Sequence, residues 1–160
     1  MLGQINFYIV MANKKQIQLG YKITKIQTTK FSFTDIEENK LIKLTNDPKG
    51  LGININVSLN IDIKTTTINM DVQSKLFVTE SKEPLVEHTG RTVYFIEGLE
   101  KIYNKEADAY DFPDALLIQL YGIAYTHSRA LLATEISPTC YRDKYFLPVI
   151  NPADLLQKKK

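Results

Sequence analysis

A strict alternation of apolar and polar residues constrains this chain more than any other feature of its sequence. From residue 53 to residue 63 every odd position is apolar and every even position is polar. The apolar positions are Ile53, Ile55, Val57, Leu59, Ile61 and Ile63. A period of two is that of a β-strand with one buried and one solvated face, and eleven residues would span roughly 36 Å. The sequence therefore predicts a strand about twice the ordinary length.

Flanking segments extend this strand into an antiparallel sheet. Apolar residues return at every second position from Ile68 to Val72 and again at Leu76 and Val78, which predicts a hairpin with the first run. Upstream, an alternation over residues 17–23 changes phase at residue 26, and such a shift is typical of a β-bulge. Residues 92–96 predict a short fourth strand.

The remaining segments of the first two thirds predict less regular structure. Residues 37–52 contain an Asn-Asp-Pro turn sequence and two glycines, so we expect a crossing loop. Residues 81–91 are polar and predict another loop, and residues 98–106 predict a short amphipathic helix. Residues 1–15 hold an apolar run without a preceding basic segment, which favours a frayed or partner-covered strand over a signal sequence.

The last third of the chain predicts a long helix and a short one. Pro113 suits the first turn of the long helix, with Asp111 as its cap. Between residues 115 and 136 only Arg129 and Glu135 carry a full charge. A short helix over residues 153–157 should follow, capped by the preceding Asn-Pro pair.

The long helix has apolar residues on all of its sides, which predicts that several copies of the chain assemble. A helix that is apolar on all sides must be buried on more than one side, and one sheet covers only one. We therefore expect a homo-oligomer. Polar residues 126–129 interrupt the apolar run, so we expect no membrane insertion.

Composition excludes several classes of protein. The formal charge of +2 comes from 20 basic and 18 acidic residues, and without the terminal Lys158, Lys159 and Lys160 it becomes 17 against 18, or −1. A neutral body argues against binding to nucleic acid. A single cysteine predicts a reducing, cytoplasmic location, and two histidines far apart in sequence predict no metal site. No phosphate-binding or hydrolase motif is present, so we expect neither a cofactor nor an enzyme.

Four residues invite chemical interpretations that their context does not favour. His127 and Ser128 are adjacent on a helix, so their side chains diverge and a hydrolase pair is not expected. Arg129 lies among apolar neighbours and is expected to pair with a carboxylate at the helix interface. Cys140 lacks the basic surroundings of a reactive thiol.

The order of these segments resembles the family of SecB-like chaperones. Residues 21–33 resemble the first strand of that family, which ends in a Ser-Phe pair, and residues 52–64 and 66–79 resemble its next two strands. Residues 127–129 stand where the family places Tyr-Ala-Arg, and residues 146–155 match its Leu-x-Pro-Val-Asn-Phe-x-x-Leu ending. The resemblance covers roughly residues 21–79 and 113–156.

The resemblance implies a single domain of α+β class over residues 1–160, with 81–111 as a variable insertion and 157–160 as a basic tail. It implies a four-stranded antiparallel sheet, a long helix and a short C-terminal helix, assembled as a dimer of dimers. The implied function is that of an ATP-independent holdase for unfolded client polypeptides, with a place in protein export.

Three groups of residues follow from this interpretation. For polypeptide binding we expect Phe31, Phe33, Leu41, Ile42, Leu44, Leu117 and Tyr121. For a partner-docking sheet face we expect Lys30, Thr34, Asn69 and Asp71. For the oligomer interface we expect Leu120, Ile123, Ala124, His127, Arg129 and Leu131.

The chain departs from the export member of the family in charge. That protein carries acids around its Ser-Phe pair for the motor protein SecA, whereas this chain has Lys30 and Thr34 there and retains only Asp71. We therefore expect a general SecB-like chaperone rather than one that delivers clients to SecA. A module dedicated to one protein partner, such as a chaperone specific for an antitoxin, is the alternative.

Overall fold

Four long antiparallel strands form the sheet that the sequence pattern predicts. The computed structural model describes residues 19–157, with side chains to residue 155, so the prediction for residues 1–15 and the lysine tail lie outside the described residues. The strands are β1 (Gly20–Phe33), β2 (Leu51–Asp62), β3 (Thr67–Val78) and β4 (Pro84–Glu97). Their order in the sheet is β1-β4-β3-β2. The first and second strands of the chain are therefore the two edges.

Helices and a small hairpin complete the described chain. They are α1 (Glu38–Asn46), a 3-10 helix (Leu99–Ile102), the strands β5 (Tyr103–Asn104) and β6 (Ala109–Tyr110), α2 (Asp114–Ile136) and α3 (Pro152–Gln157). The α+β class, the four-stranded antiparallel sheet, the long helix and the short C-terminal helix are all confirmed.

The short C-terminal helix begins at Pro152, one residue before the predicted start. The side chain of Asn151 accepts a hydrogen bond from the backbone N–H of Ala153 at 3.1 Å, so the predicted cap is present. The ring of Pro152 faces Gly122 of α2, where a Cβ atom would lie 3.0 Å from it. The glycine thus allows α3 to lie close to the long helix.

The predicted bulge in β1 is present, and a second one accompanies it. The pairing of β1 with β4 shifts between Ile23 and Lys25 and again between Thr28 and Lys30. Each shift inserts one extra residue, which changes the spacing of the residues that point to the inner face. The inward positions from residue 23 onward are Ile23, Ile26, Thr28, Phe31 and Phe33. The apolar residues of β1 are irregularly spaced in the sequence, and the two bulges keep them on one face of the sheet.

The predicted crossing loop over residues 37–52 contains helix α1. Leu41 on this helix is buried in the core. The turn sequence that suggested a loop begins only at the last residue of the helix, Asn46, so the prediction was wrong for residues 38–46.

The predicted loop over residues 81–91 was wrong as well, because most of it belongs to β4. The strand begins at Pro84 and so extends the short strand predicted at 92–96. Its inward positions include His88, Gly90 and Thr92, so a period of two is present without an aliphatic pattern to reveal it.

The prediction of a helix over residues 98–106 was wrong in its greater part. Only a four-residue 3-10 helix forms, after Gly98 takes the left-handed conformation with a φ of 82°. A two-residue strand pair follows, in which Tyr103 lies opposite Tyr110.

The predicted cap of the long helix was also wrong. Pro113, not Asp111, is the N-cap residue of α2. The carboxylate of Asp111 instead accepts a hydrogen bond from the side-chain amide of Asn104 at 3.2 Å.

Helix α2 lies on the inner face of the sheet and runs antiparallel to β4. The hydroxyl of Tyr94 donates to the backbone oxygen of Leu120 at 2.8 Å, and Gly90 lies directly beneath Ser128. The core is formed where this helix covers the central strands. Its members on β3 include Ile68, Met70, Val72 and Leu76.

A second side of α2 is covered by residues 145–150, which we call the C-terminal strap. The hydroxyl of Tyr125 donates to the backbone oxygen of Pro148 at 2.6 Å, and Nε of Arg129 donates to that of Leu147 at 3.2 Å. The apolar character of the helix is thus explained in part within one chain, which removes part of the reason for expecting a second subunit.

The close approach at Gly90 gives a first prediction. A Cβ atom there would lie 2.7 Å from Oγ and 3.1 Å from Cα of Ser128, so Gly90→Ala must push α2 away from the sheet. We expect a loss of about 1–3 kcal/mol in the free energy of unfolding, measured by urea denaturation. Gly20→Ala is the control, because its Cβ would meet only the flexible side chain of Glu97. Equal effects of the two substitutions would contradict the tight helix–sheet contact.

Candidate binding surface

One helix is too narrow to cover four strands. A helix with side chains is about 10 Å wide, whereas four strands spaced by about 4.8 Å are nearly twice as wide. Because α2 lies over the central strands, some inward side chains on both edge strands stay exposed. Ile23, Ile26 and Phe33 on β1 and Ile53 on β2 are 40–45% exposed. These side chains belong to the apolar face of the sheet but are not covered by the described chain.

The C-terminal strap covers the surface beside only one of the two edges of the sheet. Tyr145 is buried beside Ser74 of β3 and near Tyr125, so the strap lies on the β3 side of α2. The opposite side of α2 carries His127, which bonds Thr92 of β4. This side faces β1 and has no such cover within the described chain.

We call the uncovered surface beside β1 the β1 flank. Its floor is formed by inward residues of the edge strand and its wall by one side of α2. The members are Ile23, Ile26, Phe31, Phe33, Ile123, His127 and Leu131. The rings of Phe31 and Phe33 stack with centroids 5.8 Å apart at 27°. The flank therefore presents a row of mainly apolar side chains with an aromatic end.

Two histidines lie at this flank, His88 beneath it and His127 on its wall. Nε2 of His88 is 3.1 Å from the hydroxyl of Thr28, and Nδ1 of His127 is 3.0 Å from that of Thr92. Burial lowers the pKa of both imidazoles, while the nearby carboxylate of Glu135 acts to raise the pKa of His88. The helix–sheet contact therefore favours neutral imidazoles.

The outer face of the sheet is polar, and its central charges are paired. Asp71 is buried under Arg91, whose Nε and Nη2 donate to its two carboxylate oxygens at 2.6 and 2.7 Å. Hydrogen bonding with Asp71 in turn raises the pKa of Arg91. Lys30 pairs with Glu87 at 3.4 Å. The acid expected on a docking face is therefore already neutralised within the chain.

Of the other residues predicted for a docking face, Thr34 lies apart from Asp71, whereas Asn69 lies two residues from it on the same face of β3. Thr34 lies just after β1, where its hydroxyl donates to the backbone oxygen of Pro84 at 3.2 Å. Asn69 is on the outer face of β3, opposite Asn60.

The residues predicted for polypeptide binding fall into three places. Phe31 and Phe33 lie together on the β1 flank, and Ile42 is exposed on α1, which starts at the same end of the sheet. Leu44 is half-buried on that helix, whereas Leu41 belongs to the core because it lies on the side of α1 that faces the domain.

Leu117 and Tyr121 form the third place, near the start of α2 at the other end of the sheet. Since α2 runs antiparallel to β4, they are on the order of 20 Å from Phe31 along the strand direction. Tyr121 is also buried. The structure therefore does not bring these two together with the aromatic pair.

The residues predicted for an oligomer interface are divided among three sides of α2. Leu120 and Ala124 are buried against the sheet in a single chain. Arg129 lies on the β3 side of the helix, against the strap. The remaining three border the β1 flank: Ile123, His127 and Leu131.

Sequence reasoning missed Ile23, Ile26 and Ile53 as exposed residues. Their alternation places them on the apolar face, and that pattern alone predicts burial. The missing signal was the strand order, because only the order puts β1 and β2 at the edges.

The described residues show no sign of a metal site or a membrane span. Within residues 19–157 no cluster of three or more His, Cys, Asp or Glu side chains is placed to hold a metal ion. No helix in that range is both long and apolar enough to cross a membrane.

Comparison with known proteins supports the fold. No family model and no curated protein matches the sequence. Among solved structures, a SecB-like chaperone from Mycobacterium tuberculosis, in complex with a peptide from an antitoxin, matches with a TM-score of 0.51 and 7% identity, over 81% of this chain and 87% of that one. A Streptococcus agalactiae protein of unknown function gives a TM-score of 0.40 and 10% identity, over 82% and 98%. The chain thus resembles SecB-like chaperones in fold.

His88 and His127 give a prediction about pH. A histidine in the unfolded chain has a pKa near 6.5, and burial lowers it in the folded protein, so below about pH 6.5 the unfolded chain binds more protons. We expect the free energy of unfolding to fall between pH 7.5 and pH 5.5 and to change little from pH 7.5 to 8.5. The measurement is urea denaturation at each pH.

The variant His88→Gln separates this effect from the titration of carboxylates. Glutamine keeps a polar group near Thr28 but does not titrate, so the fall from pH 7.5 to 5.5 should be smaller than in the unmodified protein. An unchanged fall in both His88→Gln and His127→Gln would show that the histidines are not its cause.

Proposed function

We propose that this protein is an ATP-independent chaperone of SecB-like type that holds non-native polypeptides on the β1 flank. The observation that carries the proposal is the set of large apolar side chains left exposed beside α2, ending in the Phe31–Phe33 pair. Contiguous exposed apolar surface is a common mark of protein binding sites. The sequence resemblance and the likeness of fold support the same assignment.

The physical basis of such holding is the burial of apolar area. Each square ångström removed from water contributes about 25 cal/mol without regard to direction, so different client segments can be accepted. Binding to the unfolded state lowers the free concentration of aggregation-prone chains by mass action and needs no nucleotide. The proposal therefore includes no catalytic residue and no cofactor.

The proposed partners are client polypeptides and further copies of this chain. The similar Mycobacterium structure contains a peptide, which supports a polypeptide partner for this fold. β1 is a 14-residue edge strand, and long exposed edges are usually covered or paired. We propose that a second copy pairs with this edge in a dimer, or in the tetramer that the resemblance implies.

Delivery to SecA is not part of the proposal. The acid that resembles a docking residue, Asp71, is buried and bound by Arg91, so it offers no free charge to a partner. Lys30 adds a positive charge nearby, paired with Glu87. We propose a chaperone acting in the cytoplasm without this motor.

Removal of the aromatic end of the flank tests the proposal. Phe33→Ser removes a side chain that is 45% exposed, so little folding stability should be lost. The loss of its contact with a client should cost roughly 1–2 kcal/mol, or about five- to thirtyfold in Kd. The measurement is suppression of aggregation of a chemically unfolded client, followed by light scattering.

Ile63→Ser is the matched control, because Ile63 is 69% exposed but lies in the turn after β2. It should leave the suppression unchanged. Equal loss in both variants would mean that general apolar exposure, not the flank, binds the client. If Phe33→Ser changed the mass of the assembly but not the suppression, the flank would be a subunit contact instead.

A module dedicated to one partner is the second candidate function. The peptide from an antitoxin in the Mycobacterium structure favours it. A panel of unrelated unfolded peptides distinguishes the two, measured by competition for a fluorescent client. We expect most apolar peptides to compete with similar affinity; competition by only one or very few would favour the dedicated module.

A further inference from the structure

A cavity lies on the side of α2 opposite the β1 flank. It has a volume of about 310 Å³ and separates α2 from the start of the C-terminal strap. Its walls are mainly apolar and include Ala130, Ala133, Phe146 and Leu147. The one charged residue that lines it within the described chain is Arg129. The cavity therefore combines an apolar wall with a single fixed positive charge.

Arg129 is held in place but has donors to spare. Its Nε donates to the backbone oxygen of Leu147 at 3.2 Å, which fixes the guanidinium against the strap. No carboxylate of residues 19–155 forms an ion pair with it. A guanidinium has five N–H donors and stays charged at all ordinary pH, so four donors are left for a ligand.

The strap itself offers a free backbone edge. Within the described chain, the backbone N–H groups of residues 146, 147, 149 and 150 have no hydrogen-bond acceptor, and the carbonyls of residues 147 and 148 bond only side chains of α2. Phe146 is 59% and Val149 83% exposed. A peptide backbone laid against the strap could pair with these unpaired N–H groups.

We propose that this cavity binds the C-terminal residue of a polypeptide whose last side chain is apolar. Arg129 would receive the terminal carboxylate, for which the guanidinium has complementary charge and geometry. The apolar wall would receive the last side chain, and the strap would pair with the preceding backbone. An Asp or Glu side chain brings a carboxylate without an apolar group on the same residue, so it matches the cavity less well.

Fluorescence anisotropy with a labelled hexapeptide tests the proposal. The probe is Gly-Ser-Gly-Ser-Ala-Leu with a free carboxylate, compared with the same peptide as its C-terminal amide. The unmodified protein should bind the acid at least about tenfold more tightly. Arg129→Met should abolish this difference, since it removes the charge and keeps most of the volume.

Because Arg129→Met could also displace the strap, a second variant is needed that leaves Arg129 in place. Ala133→Leu fills the cavity while Arg129 stays in place, and it should weaken binding of the acid at least about fivefold. Ala115→Leu, exposed on the same helix but outside the cavity, is the control and should bind normally. Phe33→Ser should also bind this peptide normally, which separates the site from the β1 flank.

Three results would overturn the proposal. Equal affinity for acid and amide, or a difference that persists in Arg129→Met, would mean that the guanidinium does not receive the carboxylate. Failure of the acid peptide to bind would also overturn it. If in that case Arg129→Met changes the mass of the assembly in native mass spectrometry, a second copy of the chain occupies the cavity.

Discussion

The mismatch in width between one helix and a four-stranded sheet governs the rest of this structure. α2 covers the central strands and builds the core there, as at the close contact of Gly90 with Ser128. The same geometry leaves Ile23, Ile26 and Phe33 uncovered at the edge. The apolar face of the sheet thus forms the core on the central strands and a candidate binding surface on the edge strand β1.

The C-terminal strap makes the two sides of α2 different. On the β3 side it covers the helix through Leu147 and Pro148, held by Arg129 and Tyr125. On the β1 side no described segment takes that place. The apolar residues on the different sides of α2 therefore have three roles: one side packs in the core, one contacts the strap, and one borders the open β1 flank.

The sequence predicted the strands whose inward residues are aliphatic and missed most of the strand whose inward residues are not. β2 and β3 followed from their alternation, whereas β4 was hidden because His88, Gly90 and Thr92 occupy inward positions. Phe31 and Phe33 were predicted for one surface and lie together. Leu41 was predicted for the same surface but is buried, because the segment that carries it is a helix with one side against the core.

The sequence by itself determined the class of fold, since a period of two and a long apolar helix restrict which faces can be buried. It could not determine which apolar residues remain exposed, because exposure depends on strand order and on the position of one helix over the sheet. It also could not determine that Asp71 is paired with Arg91, twenty residues away. Tertiary structure decided these points, because each depends on contacts between residues far apart in the chain.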